Sequence, residues 1–278
     1  MPTSRELLSS VLQRLADDER QPSPAPDLVT TGYPSLDRLL AGGLRLGELT
    51  VVIGDAGAGK TALALGIAIR AAVAGHQVLI LTHESSVERC WERLVTAESG
   101  VSQIAIRTGV LPAGAADSLK SAADVLRRLP ISVERAPYTA TLLGERLDAG
   151  VSQPLVIIDG LAGIDQTPRL VAEAHAQTIR TAKRVAVEQN VAVLLTAPMA
   201  SDRTLSLPPR PTLSDASGTA AAVADVVLGI FREALYDDAP DVAGAFEAHL
   251  LKHRAAPSTF ADLYIEPGAG RVEDLIES

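Results

Sequence analysis

Residues 49–61, Leu-Thr-Val-Val-Ile-Gly-Asp-Ala-Gly-Ala-Gly-Lys-Thr, constrain this chain more than any other stretch: a short apolar, β-branched run breaks into glycines and is closed by Lys60 and Thr61. From Gly54 to Thr61 the spacing is G-x-x-x-x-G-K-[ST], which cradles phosphate when it lies between a strand and a helix. Each position has a chemical reason. The backbone from Gly54 through Asp55, Ala56, Gly57, Ala58, Gly59, Lys60 and Thr61 to Ala62 can turn N–H groups toward phosphate oxygens. The Lys60 ammonium reaches the β and γ phosphates, and the Thr61 hydroxyl joins the shell of Mg²⁺. The next run, Ala62–Ala74, has the alanine and leucine content of a buried helix, whose positive end faces the anion. The plain alternative is a glycine turn between two core elements. Strand, loop and helix in this order favour nucleotide binding.

The 278 residues and 47% hydrophobic content suffice for one large α/β domain with short appendages. A net charge of -9 argues against a generally basic nucleic-acid binder, although a ring can line a narrow channel with few basic residues. Cys90 is the only cysteine, which excludes an internal disulfide and suits a reducing cytoplasm. The N-terminus lacks an apolar signal core, and the apolar runs fall short of a membrane span, so a soluble cytoplasmic protein is expected.

Residues 1–20 read as an arm. Leu8, Val11, Leu12 and Leu15 share one face of an amphipathic helix over residues 4–18. The proline-rich segment 21–29 reads as an extended linker, and residues 30–278 as the main domain. The arm must bury its apolar face on its own domain or on a neighbouring subunit, and the periodicity leaves both open.

Two carboxylates follow strands that sit well with the loop. Val78–Thr82 leads into His83 and Glu84, and a carboxylate just past a parallel strand lies on the edge where open α/β sheets bind ligands. His83 reads as a structural or hydrogen-bonding residue. Helices are expected over 115–130, 139–149 and 171–190, and strands over 131–135 and 191–196. Pro154-Leu-Val-Ile-Ile is an apolar run that delivers Asp159, a carboxylate to support Mg²⁺ beside Thr61. Further strands are expected over 225–232, 246–254 and 260–266.

The phrase TGYPSLDRLLAGGLRLGELTVVIG, residues 31–54, resembles the lead-in to RecA-like ATPase cores shared by DnaB-type replicative helicases and the RadA and KaiC branches. RadA and KaiC proteins tend to show paired glutamates after the next strand. Here Glu84 stands alone and Arg93-Leu94 follows nine residues later, which looks like the DnaB pattern. Ser99–Leu111 is similar to the DnaB segment that carries an Ile-Arg-Thr-Gly turn between two helices, a phrase with no catalytic meaning of its own. The resemblance covers roughly residues 30–270.

It implies a RecA-like P-loop NTPase core, α/β, with a mostly parallel central sheet and helices on both faces. It also implies hydrolysis of ATP with Mg²⁺ at the subunit interfaces of a homo-oligomer, ring or helical, a hexamer being one form, acting on single-stranded DNA. Residue by residue, Lys60 and Thr61 hold phosphate and metal, Glu84 polarises the attacking water, and Asp159 supports Mg²⁺. Lys252-His-Arg254 matches the family's Lys-x-Arg, so Lys252 and Arg254 would reach the γ-phosphate bound by the adjacent subunit. A finger of this kind favours arginine, whose charge is permanent and whose donors form a planar fork.

Three departures bear on the implied DNA motor. The family's Ser-Gln pair, whose glutamine relays the γ-phosphate to DNA-binding loops, reads Thr196-Ala197, and alanine has no donor. Thr212–Thr219 resembles a loop that normally contains Arg-Glu, and the pair is absent. The primase-interacting N-terminal domain is expected to be lacking, so the chain reads as a divergent member. In the polar, proline-rich segment 200–211, Arg203 and Arg210 remain as candidate nucleic-acid contacts, with plain solvation as the alternative. Two functions of different class therefore stand: a motor on single-stranded DNA, and an ATP-dependent switch or scaffold that assembles with a protein partner. A small-molecule kinase would share the phosphate loop but would not account for the Ile-Arg-Thr-Gly phrase or Lys252-His-Arg254.

Overall fold

Strand β1 (Leu28–Val29) pairs antiparallel with β2 (Leu44–Arg45) on either side of helix α1 (Pro34–Leu39). Leu28 and Val29, expected in the linker, therefore belong to the domain. In this computed structural model the described residues are 27–161, 168–200, 210–237, 239, 242–254 and 256–275. The expected helical arm, the linker up to residue 26 and Arg203 lie outside them.

A single large sheet follows. Its strands are β3 (Leu49–Gly54), β4 (Val78–Thr82), β5 (Ile131–Arg135), β6 (Leu155–Asp159), β7 (Ala192–Pro198), β8 (Val226–Phe231), β9 (Ala245–Lys252), β10 (Phe260–Glu266) and β11 (Arg271–Asp274). In space they run β11-β10-β9-β8-β3-β7-β6-β4-β5. The six from β8 to β5 are parallel, and β9, β10 and β11 extend that sheet as antiparallel neighbours. The helices are α2 (Lys60–Val73), α3 (Val87–Ser99), α4 (Gln103–Thr108), α5 (Ala115–Leu126), α6 (Ala140–Asp148), α7 (Pro168–Gln189) and α8 (Gly218–Val223).

The central strands are unbroken apolar runs because helices cover both of their faces. Side chains alternate across the sheet. Val52, Ile80, Ile157, Leu194 and Leu228 meet Leu63, Ile67 and Ala68 of α2 on one face. Val51, Ile53, Leu79, Leu81, Val156, Ile158 and Leu195 meet Ile179, Ala182 and Val185 of α7 on the other. Each fully buried Val, Leu or Ile contributes about 1.5–3 kcal/mol relative to exposure. The antiparallel margin has one covered face, so β10 alternates: Ala261, Leu263 and Ile265 are buried while Phe260 and Tyr264 are exposed.

Two local differences from the sequence reading have physical causes. The Ile-Arg-Thr-Gly phrase is the body of α4, stopped by left-handed Gly109, and not a turn between helices. The expected strands end at 260–266, whereas the turn at 267–270 returns the chain as one more, β11, whose lone buried apolar residue, Val272, carries no strand signal.

One buried polar cluster anchors the start of β3. Asp225 is 2% exposed and accepts from the Leu49 N–H at 2.8 Å and from Lys183 Nζ at 2.7 Å. Lys183 also donates to the Gly47 carbonyl at 3.1 Å. Asp225→Ala leaves that ammonium without its counter-charge and is expected to cost about 3–5 kcal/mol, read as a lowered urea midpoint.

Candidate functional site

Strands β8, β3, β7, β6 and β4 end on one edge of the sheet, where their loops meet. The loop leaving β3 enters α2 through Gly59, which caps the helix at φ 102° with no side-chain cap, so the first-turn N–H groups are left for an outside acceptor. Only glycine fits there. A β-carbon on Gly59 would also lie 2.7 Å from the Phe246 ring. Lys60 Nζ donates to the carbonyls of Gly54 at 2.9 Å and Asp55 at 3.0 Å. Burial pushes the Lys60 pKa down, against the charges of Glu84, Asp55 and Asp159.

Thr61 and Asp159 come together. The Thr61 hydroxyl donates to Asp159 Oδ1 at 2.8 Å, and Asp159 is 1% exposed. The same oxygen accepts from the Thr196 hydroxyl at 3.0 Å, which in turn accepts from the Gly160 N–H at 2.8 Å. Gly160 has φ 94°, and a β-carbon there would lie 2.7 Å from Glu84 Cγ. Asp159-Gly160 is thus more than a turn, because its glycine lets Glu84 approach. Partial burial raises the Glu84 pKa, the Asp159 charge raises it further, and Lys60 and Arg93 oppose both.

His83 packs beside this group without joining it. Its backbone N–H donates to the Asp159 carbonyl at 2.9 Å, but its Nε2 is buried with no hydrogen-bond partner. Burial first, then the Arg135 charge, pushes its pKa from 6.5 down to about 4. The unfolded chain takes up this proton below 6.5 while the folded chain refuses it until about 4, so stability is lost as pH falls through that window. His83→Gln is expected to lose less stability than the parent between about pH 7 and about pH 4.5, read by urea unfolding.

Gly57, Gly59, Lys60, Thr61 and Glu84 line a cavity of about 670 Å³. Arg93, Arg107, His175 and Arg232 also line it, together with the β10–β11 turn at 267–270. In the sequence Arg93 and Arg107 stand out only as parts of family phrases, and no pattern singles out His175 or Arg232. Arg107 lines the cavity because α4 is tied to the turn through the Gln103 N–H and the Gly268 carbonyl, 3.0 Å apart. No local pattern announces a pairing between residues so far apart in the chain.

The donors suit a phosphate chain with Mg²⁺. A hydroxyl and a carboxylate already 2.8 Å apart are hard oxygen ligands. Among the described residues no group of three His, Cys, Asp or Glu side chains could hold a metal by itself. Mg²⁺ needs none, since it usually keeps waters and takes phosphate oxygens.

A family model described as the DnaB-like helicase C terminal domain matches residues 29–274. The chain belongs to this family. A replicative DNA helicase DnaB of Leifsonia xyli subsp. xyli (strain CTCB07) is 27% identical over 260 residues, covering 89% of this chain and 56% of the relative. One of Rickettsia bellii (strain RML369-C) is 25% identical over 248 residues, covering 81% and 49%. The chain spans about half the length of these two relatives. In fold it is similar to a solved structure described as an ATPase domain, with TM-score 0.81 and 19% identity over 99% of both chains. It is also similar to a DnaB-like replicative helicase described with its interactions with primase, with TM-score 0.80 and 20% identity over 99% of this chain and 67% of that one. The RadB recombinase follows at TM-score 0.58 and 23% identity, covering 89% and 100%. The fold is RecA-like. Among the described residues no helix is long and apolar enough to cross a membrane.

Lys252, Arg254, Arg210 and Ala197 do not line the cavity. Because β9 runs antiparallel to β8, Lys252 stands opposite Val227, toward the edge where the parallel strands begin. Lys252 Nζ donates to the carbonyls of Ala221 at 2.8 Å and Ala224 at 2.5 Å, so it caps the C-terminus of α8 and does not reach outward. Arg254 does: its side chain is 77% exposed, with a loose contact to Asp225 at 3.4 Å. Arg210 is held by a two-pronged ion pair with Glu247, at 2.7 and 3.1 Å, and covers the Phe231 ring. Ala197 is buried beside Ile53 at the end of β7.

Proposed function

We propose that this DnaB-like chain hydrolyses ATP with Mg²⁺ at interfaces between copies of itself. Lys60 and the loop amides bind the β and γ phosphates, and Thr61 with Asp159 hold the metal. Mg²⁺, when bound, neutralises charge on the phosphate oxygens. Glu84 orients the attacking water and accepts its proton, a task suited to a carboxylate whose pKa is raised. Arg254 completes the site of a neighbouring copy, and Lys252 supports its strand. The observation that carries this reading is the opposition of two edges. Lys60, Thr61, Glu84 and Asp159 gather where the parallel strands end, and the exposed Arg254 stands where they begin, out of reach of its own loop. Only a second copy can bring the two together.

Single-stranded DNA is the track that family membership favours. Ala197, which has no donor, and Arg210, engaged by Glu247, favour a second reading: an ATP-dependent switch that assembles with a protein partner. ATPase rate measured against single-stranded DNA at low and moderate salt, with mass followed by light scattering, separates the two. Severalfold stimulation that weakens with salt supports the motor. A rate indifferent to DNA, with mass still following ATP, supports the switch. A chain that hydrolyses no ATP in any state contradicts both.

A further inference from the structure

The segment after β8 lies as a strap along the phosphate loop. β8 runs beside β3 with Ile230 level with Gly54, so residue 232 starts at the height of the loop. Leu235 covers Gly57, where an added β-carbon would sit 3.5 Å from Leu235 Cδ2. The Tyr236 hydroxyl donates to the Asp55 carboxylate, and its ring stacks on Phe231 with centroids 5.9 Å apart. A single 3-10 turn, Glu233–Leu235, sets this spacing. Arg232 heads the strap and forms cavity wall with Gly57, Lys60 and Pro198.

What singles out Arg232 is its Nε, which is buried without a hydrogen-bond partner. Nearby Arg210 spends its fork on Glu247. A buried N–H with no acceptor is uncommon in a folded chain, and one at the wall of an anion-binding cavity has its acceptor supplied by the ligand. The guanidinium keeps its charge at any working pH and offers donors in a plane that matches phosphate oxygens.

We infer that Arg232 is a phosphate-binding residue acting on the nucleotide of its own chain, donating to the terminal phosphate of a triphosphate held by the loop. The inference rests on the nucleotide reading above. It gives the site an arginine in cis, distinct from Arg254 in trans, and makes the strap the element that meets a triphosphate differently from a diphosphate.

The test compares the full chain with Arg232→Met, which keeps the apolar stem and removes the unpaired donor, and with Arg232→Lys, which keeps charge without the fork. Binding of a non-hydrolysable imido analogue of ATP and of ADP is measured with Mg²⁺, and melting is recorded without nucleotide. The analogue is expected to bind Arg232→Met about tenfold more weakly, with ADP affinity nearly unchanged and Arg232→Lys between the two. Nucleotide-free melting should be equal or higher, because the unpaired N–H is gone. Equal losses for both nucleotides together with lower melting would make Arg232 a structural residue and overturn the inference. Unchanged affinities beside weakened binding in Lys60→Ala would overturn it alone, whereas no binding by the parent chain would overturn it together with the nucleotide reading.

Discussion

Lys60→Ala is expected to lower ATP turnover by at least about 10²–10³-fold, read as phosphate release by the full chain at saturating Mg²⁺ and ATP. The size follows from where the ammonium sits. It is partly buried, held over the loop by the carbonyls of Gly54 and Asp55, and surrounded by Glu84, Asp55 and Asp159. Those carboxylates stand beside the loop, and a polyphosphate adds to their negative charge around the ammonium. Removing the ammonium at the loop leaves the anion to the backbone amides, the arginines of the cavity wall and whatever metal accompanies it. The fold should tolerate the change, since the Gly59 conformation and the Phe246 contact that shape the loop are untouched. A melting temperature near the parent's with turnover lost fits this account. Turnover within a few fold of the parent would remove Lys60 from the chemistry.

Arg254→Ala should be as damaging to turnover, about 10³-fold, yet mild for stability and for nucleotide binding. Its side chain is 77% exposed and its contact with the buried Asp225 is 3.4 Å long, so the substitution removes a loose, solvent-screened pair worth about 1 kcal/mol or less. Asp225 keeps Lys183 and the Leu49 N–H. The contrast with Asp225→Ala separates the two roles of this corner: one substitution lowers stability, the other catalysis. If Arg254→Ala instead destabilised the chain strongly while its folded fraction kept full turnover, the finger assignment would fail.

The parts of this molecule that were legible in the sequence are those whose physics is local. A strand and a glycine loop within thirteen residues, with a helix leading on from them, announce the phosphate cradle, and unbroken Val, Ile and Leu runs announce parallel strands covered on both faces. Asp159 and Glu84 could be found because each ends such a run. The less legible features depend on partners distant in sequence. Lys252 reads, with Arg254, as reaching a neighbour's γ-phosphate, but the carbonyl ends of α8 capture it, and only the β8–β9 register reveals that. Arg210 reads as a loop arginine until Glu247 and Phe231 are placed beneath it. Gly160 looks like the second residue of a turn until Glu84 is packed against it. β11 has a single buried apolar residue and exists because β10 offers it an edge.

The central claim, that each catalytic site is shared between two copies, is tested most directly by mixing two inactive variants. Arg254→Ala keeps a complete phosphate site and lacks the finger, while Glu84→Gln keeps the finger and lacks the base. Equal amounts mixed under conditions that permit subunit exchange should regain activity, up to about a quarter of the parent rate if subunits combine at random. No recovery in assemblies shown to contain both variants, or full turnover by a strictly monomeric parent chain, would contradict it.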